Sequence, residues 1–197
     1  MPQDHHQGLN ITGGIWRGLR LKLPAKLPHT LRPTPEAVRE TLFDWLSAWE
    51  GLSGARVLDL FAGSGALSLE ALSRGAHCAV MVEADPGACA ALQRTLERLN
   101  TRAQILNRTA QDYLGQSTDT FDLVFLDPPY EGDALERAIA HIARFDILAP
   151  RGIIVAECPA DKVLPALSAP YHIHREYRYG KIKATVYHRD GEDGAEA

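Results

Sequence analysis

Phe121-Asp-Leu-Val-Phe-Leu126 is an apolar run broken by a single acid, and it passes without a spacer into Asp127-Pro128-Pro129-Tyr130. An apolar run of this kind reads as a strand buried on both faces of a parallel sheet, and such a sheet requires strands to alternate with crossover helices. Each proline fixes φ at its own position and pushes the residue before it out of the helical region, so the corner after the strand is stiff. Side chains at such a corner point into the crevice beyond the strand ends, where open α/β sheets bind ligands. Asp127 is therefore placed to do chemistry.

The corner suits an exocyclic amine on a planar ring. Asp127 and the carbonyl of Pro128 can each accept one N–H, which leaves the nitrogen lone pair free to attack, while Tyr130 stacks on the ring. The plainer reading is an Asp-Pro-Pro turn that closes a strand. It accounts for the prolines but not for the acid and the aromatic together.

The rest of the chain supplies the alternation that the strand demands. Strands are expected at 56–60, 77–83, 103–107, 121–126 and 152–157, with helices at 64–74, 86–100, near Gln111 and at 133–144. At the end, 171–179 and 181–188 meet at Gly180 and predict an antiparallel hairpin that closes the sheet.

The first strand leads into Gly63-Ser-Gly65 and then a helix, so a ligand can approach the backbone at a helix N-terminus. Gly63, Gly65 and Ser68 come close to a dinucleotide spacing. Asp59, however, stands four residues before Gly63, where it would repel a pyrophosphate and welcome a cationic amino-acid moiety, which favours S-adenosylmethionine. Glu83 ends the next strand, where a carboxylate binds ribose hydroxyls in either cofactor class. Asp85 reads as the cap of the helix opened by Pro86. Thr109 and Ala110, after the third strand, are expected to border the adenine.

The N-terminal part has a different character. From Leu9 to Thr34 the segment carries Arg17, Arg20, Lys22, Lys26 and Arg32 with no acid, and Trp16 sits among them. That composition fits a surface that grips phosphates and stacks a base, although for an isolated charge cluster the plainer reading is a solvated basic face. A net charge of -4 means that any nucleic acid must be met by such a local patch. His172, Arg175, Arg178, Lys181 and Lys183 of the terminal hairpin are the next candidates. Thr34-Pro35-Glu36 opens a helix to about Trp49, with Thr34 as N-cap and Val38, Leu42, Trp45, Leu46 and Trp49 on its packing face. The expected organisation is a small basic β-hairpin and helix extension over residues 1–50, a catalytic domain over 51–189 and an acidic, frayed tail over 190–197. Cys78, Cys89 and Cys158 are widely spaced in apolar surroundings and read as core residues, not as a disulfide framework or a metal site. A polar Met1–Gln7 and the lack of a ~20-residue apolar run point to a cytoplasmic protein with no membrane segment.

Several of these stretches together resemble the RsmD-type small-subunit ribosomal RNA guanine-N2 methyltransferases. The resemblance runs through Ile11-Thr-Gly-Gly-Ile-Trp-Arg-Gly18, Leu31-Arg-Pro-Thr34, Val38-Arg-Glu-Thr-Leu-Phe43, the 59–75 loop and helix, and Asp127-Pro-Pro-Tyr130. Its Arg-Pro-Thr and Arg-Glu-Thr-Leu-Phe elements are more specific than the glycine loop. The resemblance implies an α/β class I methyltransferase sheet, S-adenosyl-L-methionine as methyl donor, and a guanine in ribosomal RNA, naked or within a small-subunit particle, as acceptor. It implies Asp127, Pro128 and Tyr130 at the reacting amine, Asp59, Gly63, Gly65, Glu83, Thr109 and Ala110 at the cofactor, and Trp16, Arg17, Arg20, Lys22, Arg32 and Arg39 on the RNA. The expected protein is a monomer without a metal. Relatives often carry Asn or Asp where Thr109 stands, which singles out the adenine contact. Two other readings remain: an adenine-N6 or protein-amide methyltransferase using the same corner, and a non-enzymatic RNA-binding module. The second would not need Asp59, Glu83 and Asp127 together.

Overall fold

The structure is a computed structural model that describes residues 9–21, 34–49, 52–99 and 101–191. Strands β1 (Leu9–Asn10) and β2 (Arg20–Leu21) form a two-residue antiparallel ladder around a 3-10 turn at Gly14–Trp16, and helix α1 (Glu36–Ala48) follows. The main body runs β3 (Arg56–Asp59), α2 (Ala66–Ser73), β4 (Cys78–Glu83), α3 (Pro86–Leu99), β5 (Ala103–Asn107), α4 (Ala110–Leu114), β6 (Phe121–Leu126), α5 (Ala134–Arg144), β7 (Leu148–Pro159), β8 (Tyr171–Tyr179) and β9 (Ile182–Arg189). Its seven strands lie in the order β5-β4-β3-β6-β7-β9-β8. The first five are parallel, and β9 runs antiparallel to both of its neighbours.

The expected alternation is present, and burial explains it. Leu123, Val124, Phe125 and Leu126 of β6 are buried, as a strand between two layers requires. On α5, Leu135, Ala138, Ile139 and Ile142 recur at helical spacing and turn inward, while charged residues face out. The strand order reverses between β3 and β6, because β3 leads outward to β4 and β5 while β6 leads the other way. A crevice at the C-terminal ends of those two strands follows from the topology.

Helix α1 docks on this body through Arg39, Leu42, Phe43 and Leu46, all buried. The ring of Phe43 meets Phe125 at 5.7 Å between centroids, and full burial of such a side chain contributes about 2–3 kcal/mol. The docking face thus differs from the expected stripe: Val38, Trp45 and Trp49 are half-buried, and Arg39 and Phe43 take the central places. Trp45 and Trp49 lean instead on the terminal hairpin, against Tyr177 at 6.0 Å and His188 at 5.2 Å.

Two further expectations are corrected. Pro35 occupies the N-cap of α1 without a side-chain cap bond, because the Thr34 hydroxyl is turned away to an acid on β7. Strand β7 also starts at Leu148, earlier than expected, since Arg151 adopts a positive φ of 63° and lets the ladder with β6 resume after an irregularity. Among the described residues, no helix is long and apolar enough to cross a membrane.

Candidate active site

The crevice begins at the end of β3. Asp59 is 1% exposed and accepts a hydrogen bond from Ser68 Oγ at 2.9 Å and others from the backbone N–H groups of Phe61 and Ser68. It therefore holds the loop against the start of α2. Burial pushes its carboxyl up to about 6, the nearby charge of Glu83 pushes the same way, and the hydrogen bonds oppose both.

The loop itself needs its glycines for two different reasons. Gly65 has φ 76° and caps α2, and a Cβ there would lie 2.3 Å from Leu92 Cδ2; the requirement is for a left-handed backbone and for packing together. Gly63 has φ 51°, yet a Cβ there would meet only Phe61 O at 3.9 Å. Apart from its backbone conformation, Gly63 leaves open space over the loop, which is where a ligand would approach.

Glu83 closes the other side. Its Oε2 accepts from Gly63 N at 2.8 Å and its Oε1 from Asp85 N at 2.7 Å. Asp85 Oδ1 in turn accepts from Ala88 N at 2.6 Å, the cap that the sequence led us to expect. Asn107, which sequence reasoning passed over, donates from Nδ2 to the carbonyls of Glu83 and Ala84 at 2.9 and 3.0 Å and so ties the ends of β4 and β5. Thr109 caps α4, accepting from Asp112 N at 3.1 Å and donating to Asp112 Oδ2 at 2.6 Å. Its hydroxyl is committed to the helix start, which leaves Ala110 and the neighbouring backbone as the surface it offers. Phe61, Thr109, Ala110 and Leu114 line one side of a cleft of about 530 Å³, and Asp133, Ala134 and Ala138 line the other.

Asp127 follows the last residue of β6, beside the other wall of the crevice. Its carboxyl is held well above the ordinary carboxylate range, first by burial and then by the charges of Glu157 and Asp59. Pro128 is buried, while Pro129 and Tyr130 are exposed; burial, Asp127 and Glu157 raise the Tyr130 hydroxyl as well.

Glu157 is the residue that sequence reasoning missed. It lies in β7 one step beyond Ala156, which pairs with Leu126, so it is level with Asp127. It is 2% exposed, burial pushes its carboxyl up to about 7, and Thr34 Oγ1 stands 2.9 and 3.1 Å from its two oxygens. The available signal was an acid inside the apolar run Ile153-Ile-Val-Ala-Glu-Cys158. Three acids from adjacent strands, Asp59, Asp127 and Glu157, thus converge on one poorly solvated place. Such a site favours a cationic ligand and a proton-bearing partner.

The proposed RNA contacts fare unevenly. Arg17 and Arg20 are exposed; Lys22, Lys26 and Arg32 lie outside the described residues. Trp16 is half-buried, and its backbone N–H donates to Ser73 Oγ at 2.9 Å. Ser73 ends α2, roughly 12 Å of helix away from the loop at its start, so the Trp16 backbone is anchored at the end of α2 remote from that loop. Arg39 is corrected outright. It is fully buried, donates to the carbonyls of Thr34 at 2.7 Å and of Asn10, and pairs with Glu70 at 3.7 Å. Lys183 is likewise buried and paired, with Glu176 at 2.6 Å.

Comparison with known proteins fits this geometry. Residues 9–188 match the family described as conserved hypothetical protein 95. Ribosomal RNA small subunit methyltransferase D of Escherichia coli strain K12 is 36% identical over 201 residues, covering 100% of each chain. The solved structure of the Escherichia coli protein yhhF superposes with a TM-score of 0.84 at 35% identity, covering 94% of this chain and 99% of that one. A more distant likeness is confined to the fold: the Thermus thermophilus 16S rRNA N2 G1207 methyltransferase, solved with AdoMet and guanosine, gives a TM-score of 0.67 at 21% identity, over 93% of this chain and 49% of that one. The chain belongs to the conserved hypothetical protein 95 family, alongside ribosomal RNA small subunit methyltransferase D.

Proposed function

We propose that this protein transfers the methyl group of S-adenosylmethionine to the exocyclic N2 amine of a guanine in small-subunit ribosomal RNA. The observation that carries the reading is the Asp127-Pro128-Pro129-Tyr130 corner at the reversal of strand order, next to an open glycine loop and a cluster of buried acids. Family membership and the name of the full-length Escherichia coli relative support the substrate class.

The residues fit the donor. Open space over Gly63, the Glu83 carboxylate beside it and the buried acid at Asp59 suit the backbone approach, ribose hydroxyls and cationic groups of S-adenosylmethionine. When bound, that cofactor supplies a methyl carbon already electrophilic enough for direct transfer. The chain's task is then alignment. Asp127 and the Pro128 carbonyl accept the two amine N–H groups, Tyr130 stacks on the base, and the nitrogen lone pair is left facing the donor. As the nitrogen gains its methyl group it becomes more acidic, and Asp127 accepts the departing proton with Glu157 beside it to share the load. A splayed-out base is needed for this pose, and stacking on Tyr130 returns part of the few kcal/mol lost from the RNA stack.

The test is transfer from methyl-labelled S-adenosylmethionine to small-subunit RNA, offered both naked and in assembled particles, with the RNA then digested to nucleosides. The expected product is N2-methylguanosine. Label in N6-methyladenosine would move the reading to the adenine enzymes that use a similar corner, and absence of both cofactor binding and transfer would leave only an RNA-binding module.

A further inference from the structure

A second cluster of chemistry-bearing side chains lies at the opposite end of the sheet. His172 on β8 and His188 on β9 are cross-strand partners, their rings 5.2 Å apart, and Asp190 follows directly after β9. Asp190 Oδ1 stands 3.4 Å from His172 Nδ1 and 3.8 Å from His188 Nδ1. One ligand atom from each of the three residues lies within 4.8 Å of the others. His188 pairs with Ile153, four residues along β7 from Glu157, or roughly 13 Å at the rise of a strand. The cluster is separate from the crevice.

We propose that His172, His188 and Asp190 form a binding site for one divalent transition-metal ion of the zinc, nickel and copper class. Two imidazoles and one carboxylate are the donor set such ions prefer, and a fourth position open to water completes a tetrahedron. Around zinc, with bonds of about 2.0–2.1 Å, neighbouring ligand atoms stand about 3.4 Å apart. Both distances to Asp190 already approach that value. The remaining closure falls to His172, whose side chain is 47% exposed and free of the apolar core.

The supporting contacts are those of a held site. The Asp190 N–H donates to the Pro170 carbonyl at 2.8 Å, which fixes the backbone that carries the carboxylate. The His188 ring hydrogen-bonds to the backbone of Arg151 and packs on Trp49, the kind of second contact that orients a metal-binding imidazole. His174 stands off, 6.5 Å from each of the other two rings and engaged with Trp45 and Trp49. A bound ion would join the edge strand β8, its partner β9 and the residue after it, so its effect is to pin the hairpin.

Calorimetric titration of the full chain with zinc chloride tests this, alongside thermal unfolding with and without the ion. His5 and His6 offer a competing pair, so the titration is repeated on H5A/H6A. The expected results are one zinc per chain, retained in H5A/H6A and in H174A to within about threefold, and weakened at least tenfold in each of H172A, H188A and D190A. At a hundredfold excess over Kd the melting temperature should rise by about 5–10 °C. Copper should quench Trp49 saturably in the wild type and not in H188A. D190A removes an exposed side chain and guards against a merely misfolded histidine variant. A flat titration at 1 mM zinc, or binding lost in H5A/H6A and kept in H172A/H188A, would overturn the proposal.

Discussion

Arg39→Met separates an RNA contact from a buried clamp. In the structure the Arg39 guanidinium is fully buried, reaches the carbonyls of Thr34 and Asn10, and neutralises Glu70. Its removal leaves two carbonyls without that donor and takes one cation from a fully buried acid. Breaking a buried pair from one side costs about 3–5 kcal/mol. Glu70 keeps Arg74 at 3.4 Å and the Thr12 N–H at 2.6 Å, so the lower half of that range applies to the charge, and the lost hydrogen bonds restore the upper half. For a chain of this length, each kcal/mol moves the melting temperature by about 2–4 °C, which predicts a fall of roughly 6–20 °C. Thermal unfolding reads it directly. RNA binding by the folded variant, measured against salt, should keep the wild-type slope, whereas a lost phosphate contact on a single strand flattens it by ~0.7. A melting temperature within about 2 °C of wild type, together with the flatter slope, would refute the assignment.

Two further outcomes follow from the acids of the crevice. Asp127 must be ionised to accept the amine, and its carboxyl and that of Glu157 are both raised, so kcat/KM should climb with pH through an acid limb that lies above the ordinary carboxylate range. Glu157→Gln removes one neighbouring negative charge and should shift that limb to lower pH; an unmoved limb in a pH–rate profile would show that the pair does not control it. Asp59 is raised from 3.8 to about 6, so the native state holds its proton longer than the unfolded chain does, and stability declines as pH rises between those values. Asp59→Asn should therefore match wild type near pH 4 and exceed it by up to about 3 kcal/mol at pH 8, less what weaker hydrogen bonds to Ser68 and Phe61 give back. Chemical denaturation at the two pH values checks the sign.

The parts of the fold visible in the sequence are those written in local pattern. Strand β6 was bounded by its apolar run and its prolines, α5 by its inward stripe, and the terminal hairpin by Gly180 between two β-type segments. Gly63 and Glu83 were legible for a similar reason, since each stands at a strand end in a known relation to the glycine loop. The clamp under α1 was not. Thr34 meets Glu157 across 123 residues, and Arg39 looks like any exposed helix cation until Asn10, Thr34 and Glu70 surround it. Charge in a sequence signals a surface unless a distant partner is brought to it, and no spacing rule announces that partner. Thr34 was misread in the same way: its position suited a cap, in which the hydroxyl oxygen accepts a backbone N–H, but the side chain is turned instead to donate to the buried Glu157 carboxyl.

The central claim is that Asp127 acts on the acceptor amine and not on the donor. Asp127→Ala, assayed in parallel for S-adenosylmethionine affinity by calorimetry and for N2-methylguanosine formation on small-subunit RNA, tests it most directly. The account predicts a cofactor dissociation constant within about threefold of wild type and a loss of product of at least a hundredfold, the scale on which positioning and proton transfer operate. Undiminished N2-methylguanosine formation, or a loss of product that merely follows a loss of cofactor binding, would contradict it.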